Sequence, residues 1–317
     1  MMNYYNYMIL NLVGLFMMII LVLVGVAFLT LLERKILGYV QLRKGPNKVG
    51  ILGIFQPFSD AIKLFNKEFL FIFKSNYYLF YMSPIFMFFF MLMMWLMVPY
   101  ITNIYYMNYS LLLIFVVMTL MGYMVILMGW SSNSLYSLVG SVRVIAQMLS
   151  YEVSFIMIIL ILMILGESYS FLDFLEWQKY FWFMVILWPV FIVFFISILA
   201  ELNRSPMDFV EGESELVSGF NIEYFSGGFA LIFMAEYGMI IFFSYMVLVL
   251  FTNLMYFWLY MYVFLNLMIS LIILMRGLLP RMRYDELMYL CWKIILPLVL
   301  NYMVVILSFK LVFVFMF

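Results

Sequence analysis

From Ser75 to Val142 the chain runs for 68 residues without one charged side chain. A membrane-spanning helix needs about 20 mostly apolar residues, because about 30 Å of hydrocarbon is crossed at about 1.5 Å per residue. That run holds two spans, with Pro99, Asn103 and Asn108 marking the turn between them. The same reading places spans over Met8 to Leu32, Val144 to Leu165 and Phe181 to Leu199. Two more fill Tyr224 to Met275, hinged near Thr252 and Asn253, where Glu236 is the one charge, and a last begins near Ile294. The expectation is an all-α polytopic membrane protein of about eight transmembrane helices, forming a single membrane-embedded domain over residues 1–317. Charged residues make up 10% of the chain and the mean hydropathy is +1.16; a soluble domain carries about a quarter charged residues.

Basic residues decide orientation. Segments 33–78, 131–143, 201–227 and 276–293 hold 14 of the 16 Lys and Arg. An even number of spans then places both termini on the outer side and the long charged loops on the inner. The N-terminal MMNYYNYMIL has neither the basic start of a signal peptide nor the Arg/Ser pattern of a transit peptide. Insertion by the chain's own helices is expected. The excess of Met, Phe, Tyr, Ile and Asn fits an AT-rich genome, organellar or bacterial.

The inner segments carry the chemistry. Between Ala200 and Tyr224 the sequence AELNRSPMDFVEGESELVSGFNIEY gathers Glu201, Asp208, Glu211, Glu213, Glu215 and Glu223 around one cation, Arg204. At an effective dielectric of about 20, two carboxylates about 6 Å apart repel by on the order of 3 kcal/mol, so such a group holds and releases protons near neutral pH. Asp208, Glu211 and Glu215 share a face if the run is helical, although Gly212 weakens a helix; the alternative is a solvated acidic loop. Glu152, nine residues after Arg143, and Glu236 fall inside predicted spans, where an ionisable group points to function unless it is a protonated structural acid. Together with the acidic run they form a candidate proton relay. In 53–69, Ile54, Phe55, Phe58, Ile62 and Phe65 recur at helical spacing with Asp60 and Lys63 opposite, which predicts an amphipathic interfacial helix after the first span. It reads either as a topogenic, lipid-binding loop or as the wall of a path for an amphipathic ligand, and Asp60 favours the second.

Several chemistries are excluded or disfavoured. There is no histidine and one cysteine, Cys291, so haem, iron–sulfur and Cys/His zinc sites are not expected. No G-x-G-x-x-G or P-loop motif is present, and GPNKVG at 45–50 has the wrong spacing. Zero formal net charge implies no nucleic-acid partner. A secondary transporter is the alternative class, but no internal repeat is evident and the acids gather at one face.

The chain resembles the subunit 1 family of respiratory NADH:ubiquinone oxidoreductase (complex I), in a mitochondrially encoded form. The resemblance covers essentially the whole length. It rests on ERKILGYVQLRKGPN at 33–47, QPFSDAIKLF at 56–65, VRVIAQMLSYEVS at 142–154, the run at 200–224, AEY at 235–237 and LPRMRYDELMYLCWK at 279–293. Met207 stands where the family usually has Phe. A related subunit of membrane-bound hydrogenases shares only parts of these motifs. The resemblance implies a core subunit in the mitochondrial inner membrane that helps form a ubiquinone tunnel and couples quinone reduction to proton translocation. Ubiquinone would be a substrate, with no NADH, FMN, iron–sulfur cluster or metal bound by this chain and no redox centre of its own. Partners would be peripheral-arm quinone-site subunits, small membrane-arm subunits and the lipid bilayer. Arg34, Asp60, Phe220 and Arg283 match positions of the quinone path, and Glu152, Glu201, Asp208, Glu211, Glu213, Glu215, Glu223 and Glu236 match the acids of the loop and proton path.

Overall fold

The structure is a computed structural model that describes residues 2–68, 70, 72–98, 107–208, 219–256 and 258–316. Within these residues the chain is helical, with no strand. In order come α1 (Met2–Val40), α2 (Gln56–Phe65), α3 (Tyr77–Trp95), α4 (Ser110–Ser131), α5 (Leu135–Gly166), α6 (Phe171–Trp177), α7 (Phe183–Ile186), α8 (Trp188–Glu201), α9 (Ser226–Phe251), α10 (Trp258–Leu278), α11 (Tyr284–Tyr289) and α12 (Leu296–Met316). A π-helical segment, Leu290–Ile295, fuses α11 and α12 into one rod.

Among the described residues, seven helical rods are long and apolar enough to cross a bilayer. The remaining predicted span, Phe181 to Leu199, is broken at Leu187, leaving α7 and the 14-residue apolar α8. Pro189 explains the break: it lacks an N–H and fixes φ, which suits the first turn of a new helix and not the middle of an old one. Three ends move outward from the sequence reading. α1 continues past Leu32, so its 39 residues span about 58 Å and carry Glu33, Arg34 and Lys35 beyond the hydrocarbon on a rigid helix. α5 starts at Leu135, ahead of Arg143, and the last rod starts at Tyr284. The interfacial helix is present as α2, shorter than the 53–69 pattern, with Pro57 in its first turn.

Burial sorts the helices. The most apolar window of α9 is 78% buried and that of α5 56%, against 22% for α1 and 17% for the last rod. α9 and α5 are therefore the centre, and the poorly covered helices face lipid or partners. Phe155 of α5 stacks on Phe194 of α8 at 5.2 Å and meets Phe243 of α9 edge-on at 5.9 Å, tying three helices together. Close crossings use small residues: a Cβ on Gly129 of α4 would fall 2.0 Å from Ser141 Oγ of α5.

Helix ends leave carbonyls without intrahelical donors, and side chains from elsewhere supply them. Gln178 Nε2 donates to Val249 O and Leu250 O at the end of α9. Lys310 Nζ donates to Ile164 O at 2.5 Å and pairs with Glu167 at 2.7 Å at the end of α5. Gln147 Nε2, fully buried, donates to Ala200 O at 2.9 Å and Met207 O at 2.8 Å. That clamp fixes the start of the acidic run against α5.

Candidate functional site

α2 docks on α1 and α9. Phe58 meets Phe28 edge-on at 5.9 Å, and the Ser226 hydroxyl reaches the carbonyls of Leu64 and Lys67 at 3.1 and 2.7 Å. Between these helices lies a cavity of about 460 Å³. One part of its wall is apolar, with Leu23, Val26, Leu64, Phe65, Phe229 and Phe233. The other carries Glu33, Arg34, Asp60, Tyr237 and Arg276. This volume and this division of polarity suit an amphipathic ligand with a hydrocarbon part and a polar head.

Two ion pairs hold the polar wall. Arg34 Nη1 lies 2.7 Å from Asp60 Oδ2, and Gln56 Nε2 donates to Asp60 Oδ1 at 3.0 Å. The pair is half exposed and contributes little to stability. Deeper in, Arg276 Nη1 lies 2.5 Å from Glu33 Oε1, while the Tyr237 hydroxyl donates to Glu33 Oε2 at 2.5 Å. Glu33 is 6% exposed, so its charge is held by these two donors.

α9 is the partition between this cavity and a second, smaller one. Consecutive helical residues project about 100° apart. Tyr237 therefore faces the large cavity, while Glu236 lines a cavity of about 40 Å³ together with Glu201, Asn203 and several methionines. Arg204 bridges the two sides: its guanidinium lies 4.6 Å from the centre of the Tyr237 ring and 3.8 Å from Glu236 Oε2. Glu201 Oε1 and Asn203 Oδ1 are buried without a protein hydrogen-bond partner, and the cavity they line has room for ordered water. Beyond it, Glu152 of α5 lies close enough to Glu201 for their charges to repel. Glu152 is 7% exposed and faces Gly122 of α4.

The other predicted residues fall as follows. Asp208 is buried and 3.6 Å from Arg281 Nη2, and Met282 N donates to Pro206 O at 3.0 Å, which joins the segment before α11 to the acidic run. Arg283 is exposed at the start of α11 and stands outside this cluster. Glu223 is half-buried at the end of the 3-10 turn Gly219–Glu223. Glu211, Glu213 and Glu215 lie outside the described residues, as does the side chain of Phe220. Tyr224 fastens the exit of the acidic run. Its ring stacks on Phe80 at 4.3 Å, and its hydroxyl meets Ser83 at 3.3 Å and Ser131 at 3.4 Å. Burial pushes the Tyr224 phenol up, and the two serines pull against that.

Sequence reasoning missed Glu33, Tyr237, Arg276 and Arg281 and gave Arg204 no role. Their positions in ERK, AEY, MRG and PRMR were visible; their pairing, across as many as 243 positions, was not.

Comparison with known proteins bears on this geometry. Residues 13–307 match the family model described as NADH dehydrogenase. NADH-ubiquinone oxidoreductase chain 1 of Aedes aegypti is 52% identical over 294 residues, 93% of this chain and 94% of its own length. The chain of the same name from Anopheles gambiae is 49% identical over 306 residues, covering 96% and 98%. That of Apis mellifera ligustica is 47% identical over 293 residues, covering 92% and 95%. With full-length matches of this identity, the chain belongs to the NADH dehydrogenase subunit 1 family, that of NADH-ubiquinone oxidoreductase chain 1.

Proposed function

We propose that this chain is a core membrane subunit of respiratory complex I in the mitochondrial inner membrane. On this reading it forms part of the ubiquinone path and couples quinone reduction to proton translocation. The observation that carries the proposal is the Arg204 bridge, which joins a ligand-sized cavity to a buried chain of acids.

The large cavity receives ubiquinone. Its apolar wall takes the isoprenoid tail, and Arg34, Asp60, Tyr237 and the Glu33–Arg276 pair meet the polar head. The chain has no redox centre of its own; two electrons come from a neighbouring iron–sulfur subunit, and two protons complete the quinol. Charge arising on the reduced head group competes with Glu33 for Arg276 and for the Tyr237 hydroxyl. A displaced Tyr237 moves the surface on which Arg204 rests. At an effective dielectric of about 20, Arg204 and Glu236 attract by on the order of 4 kcal/mol, enough for a shift of Arg204 to change the proton held at Glu236. The small cavity passes that proton by water between Glu236 and Glu201, and repulsion carries the change to Glu152 and on to the pumping subunits. Asp208, Glu211, Glu213, Glu215 and Glu223 feed the same chain from the acidic run.

The test of the quinone path is photo-labelling of native membranes with a reactive ubiquinone analogue, followed by peptide mapping. Label on 23–65 or 229–237, displaced by excess quinone, supports the reading. Label elsewhere in the enzyme with none on this chain would remove the tunnel assignment.

A further inference from the structure

A second apolar cavity, of about 290 Å³, shares Phe65 with the larger one and lies between the starts of α3 and α9. Its walls include Phe80 and Pro84 of α3, Gly228 and Leu231 of α9, with Tyr224 and Leu70 from the connecting segments. Among the described residues no charged side chain lines it, which suits buried hydrocarbon and not a charged group.

Its mouth is basic. Ser226, flanked by the lining residues Phe225 and Gly227, holds the carbonyl of Lys67. Asn133 Nδ2 donates to the carbonyl of Lys74 at 2.7 Å, which pins the far end of the connection to the turn after α4. Lys67 and Lys74 thus flank Leu70, and both side chains are exposed. Glu68, also exposed, is the one acid beside them. Phe73 is fully exposed next to Lys74, as suits a segment lying against a lipid surface.

We propose that this cavity binds an anionic phospholipid, with one acyl chain against Phe80, Pro84 and Leu231 and the phosphate paired with Lys67 and Lys74. An isoprenoid tail would fill the same hydrocarbon space but offers nothing to the two lysines, and a zwitterionic lipid offers no net charge. Each basic side chain near an anionic headgroup raises affinity by roughly fivefold. The inference does not require ubiquinone to occupy the larger cavity.

The experiment uses the purified, delipidated enzyme complex containing this chain. It compares phosphatidylglycerol and phosphatidylcholine probes that each carry a diazirine near the end of one acyl chain. The phosphatidylglycerol probe should label 80–85 and 224–231 about fivefold or more above the phosphatidylcholine probe. Excess unlabelled phosphatidylglycerol should displace it, and decylubiquinone should not. The Lys67→Gln/Lys74→Gln double variant should bring the two probes level, whereas Lys48→Gln should leave the difference intact. Equal labelling by both lipids would reduce the cavity to a patch solvated by bulk lipid. Displacement by decylubiquinone would assign it to the quinone path. Either result overturns the proposal, as does undiminished anionic labelling of the double variant; if that variant fails to assemble, the comparison on the unaltered complex decides.

Discussion

Arg204 meets Glu236, well inside α9, at 3.8 Å, and the same guanidinium lies over the ring of Tyr237, the next residue along. One cation is thus shared by two adjacent side chains that face different cavities. On the proposed reading the arrangement has direction: whatever moves Tyr237 from the large cavity is felt at Glu236 in the small one. Both charged partners are largely shielded, with side-chain exposures of 9% and 19%, so solvent screens the interaction weakly.

Tyr237→Phe separates the ring from the hydroxyl. It keeps the surface beneath Arg204 and removes the donor to Glu33. A hydrogen bond to a charged group contributes about 1.5–3 kcal/mol, so NADH:ubiquinone kcat/KM should fall on the order of tenfold. NADH oxidation by an artificial acceptor should be unchanged. Steady-state kinetics with both acceptors makes the comparison.

Arg34→Gln removes a pair that is half exposed, which limits its structural cost to about 1 kcal/mol or less. The assembled complex should accumulate and melt as before. The KM for ubiquinone should rise with kcat little altered, because Arg34 sits at the cavity wall and not in the buried chain. A thermal melt beside a quinone titration distinguishes the two effects.

Ala230→Phe adds a ring to the wall of the 460 Å³ cavity, between α9 and α1. A long-tailed ubiquinone should lose more activity than a short-chain analogue, since the added ring occupies space meant for hydrocarbon. Activity across a series of tail lengths shows whether the loss grows with the tail.

Gly129→Ala should act on stability alone. Its Cβ would fall 2.0 Å from Ser141 Oγ and 3.0 Å from the Ser137 carbonyl, and the backbone contact cannot be relieved by a rotamer change. Overpacking of this kind costs about 1–3 kcal/mol. The level of assembled complex on a native gel should drop, with normal turnover per assembled enzyme.

How much of this was legible in the residues varies with the range of the interaction. The charge-free run 75–142 and the spacing of Ile54, Phe58, Ile62 and Phe65 are local patterns, and the corresponding helices are present. Glu152 and Glu236 stood out because an acid in an apolar stretch is costly, and Glu201 because it opens a crowded acidic run; the fold places Glu201 and Glu236 on one small cavity. Glu33 did not stand out. It sits in a strongly charged ERK triplet at a helix end, where a solvated residue is ordinary, and only the distant Tyr237 and Arg276 bury and pair it. The break at Leu187 was also concealed. Hydropathy continues across it, and Pro189 looks the same in sequence whether it kinks a helix or begins one.

The coupling itself is tested most directly by Glu236→Gln, in proteoliposomes that report NADH:ubiquinone turnover and proton uptake together. If Arg204 transmits events at Tyr237 to a proton on Glu236, the variant should lose both quinone turnover and pumping. NADH oxidation by an artificial acceptor should persist, because the electron-input side is untouched. Normal turnover and normal pumping in a fully assembled variant would contradict the coupling role of Glu236 and leave the Arg204 bridge a structural contact.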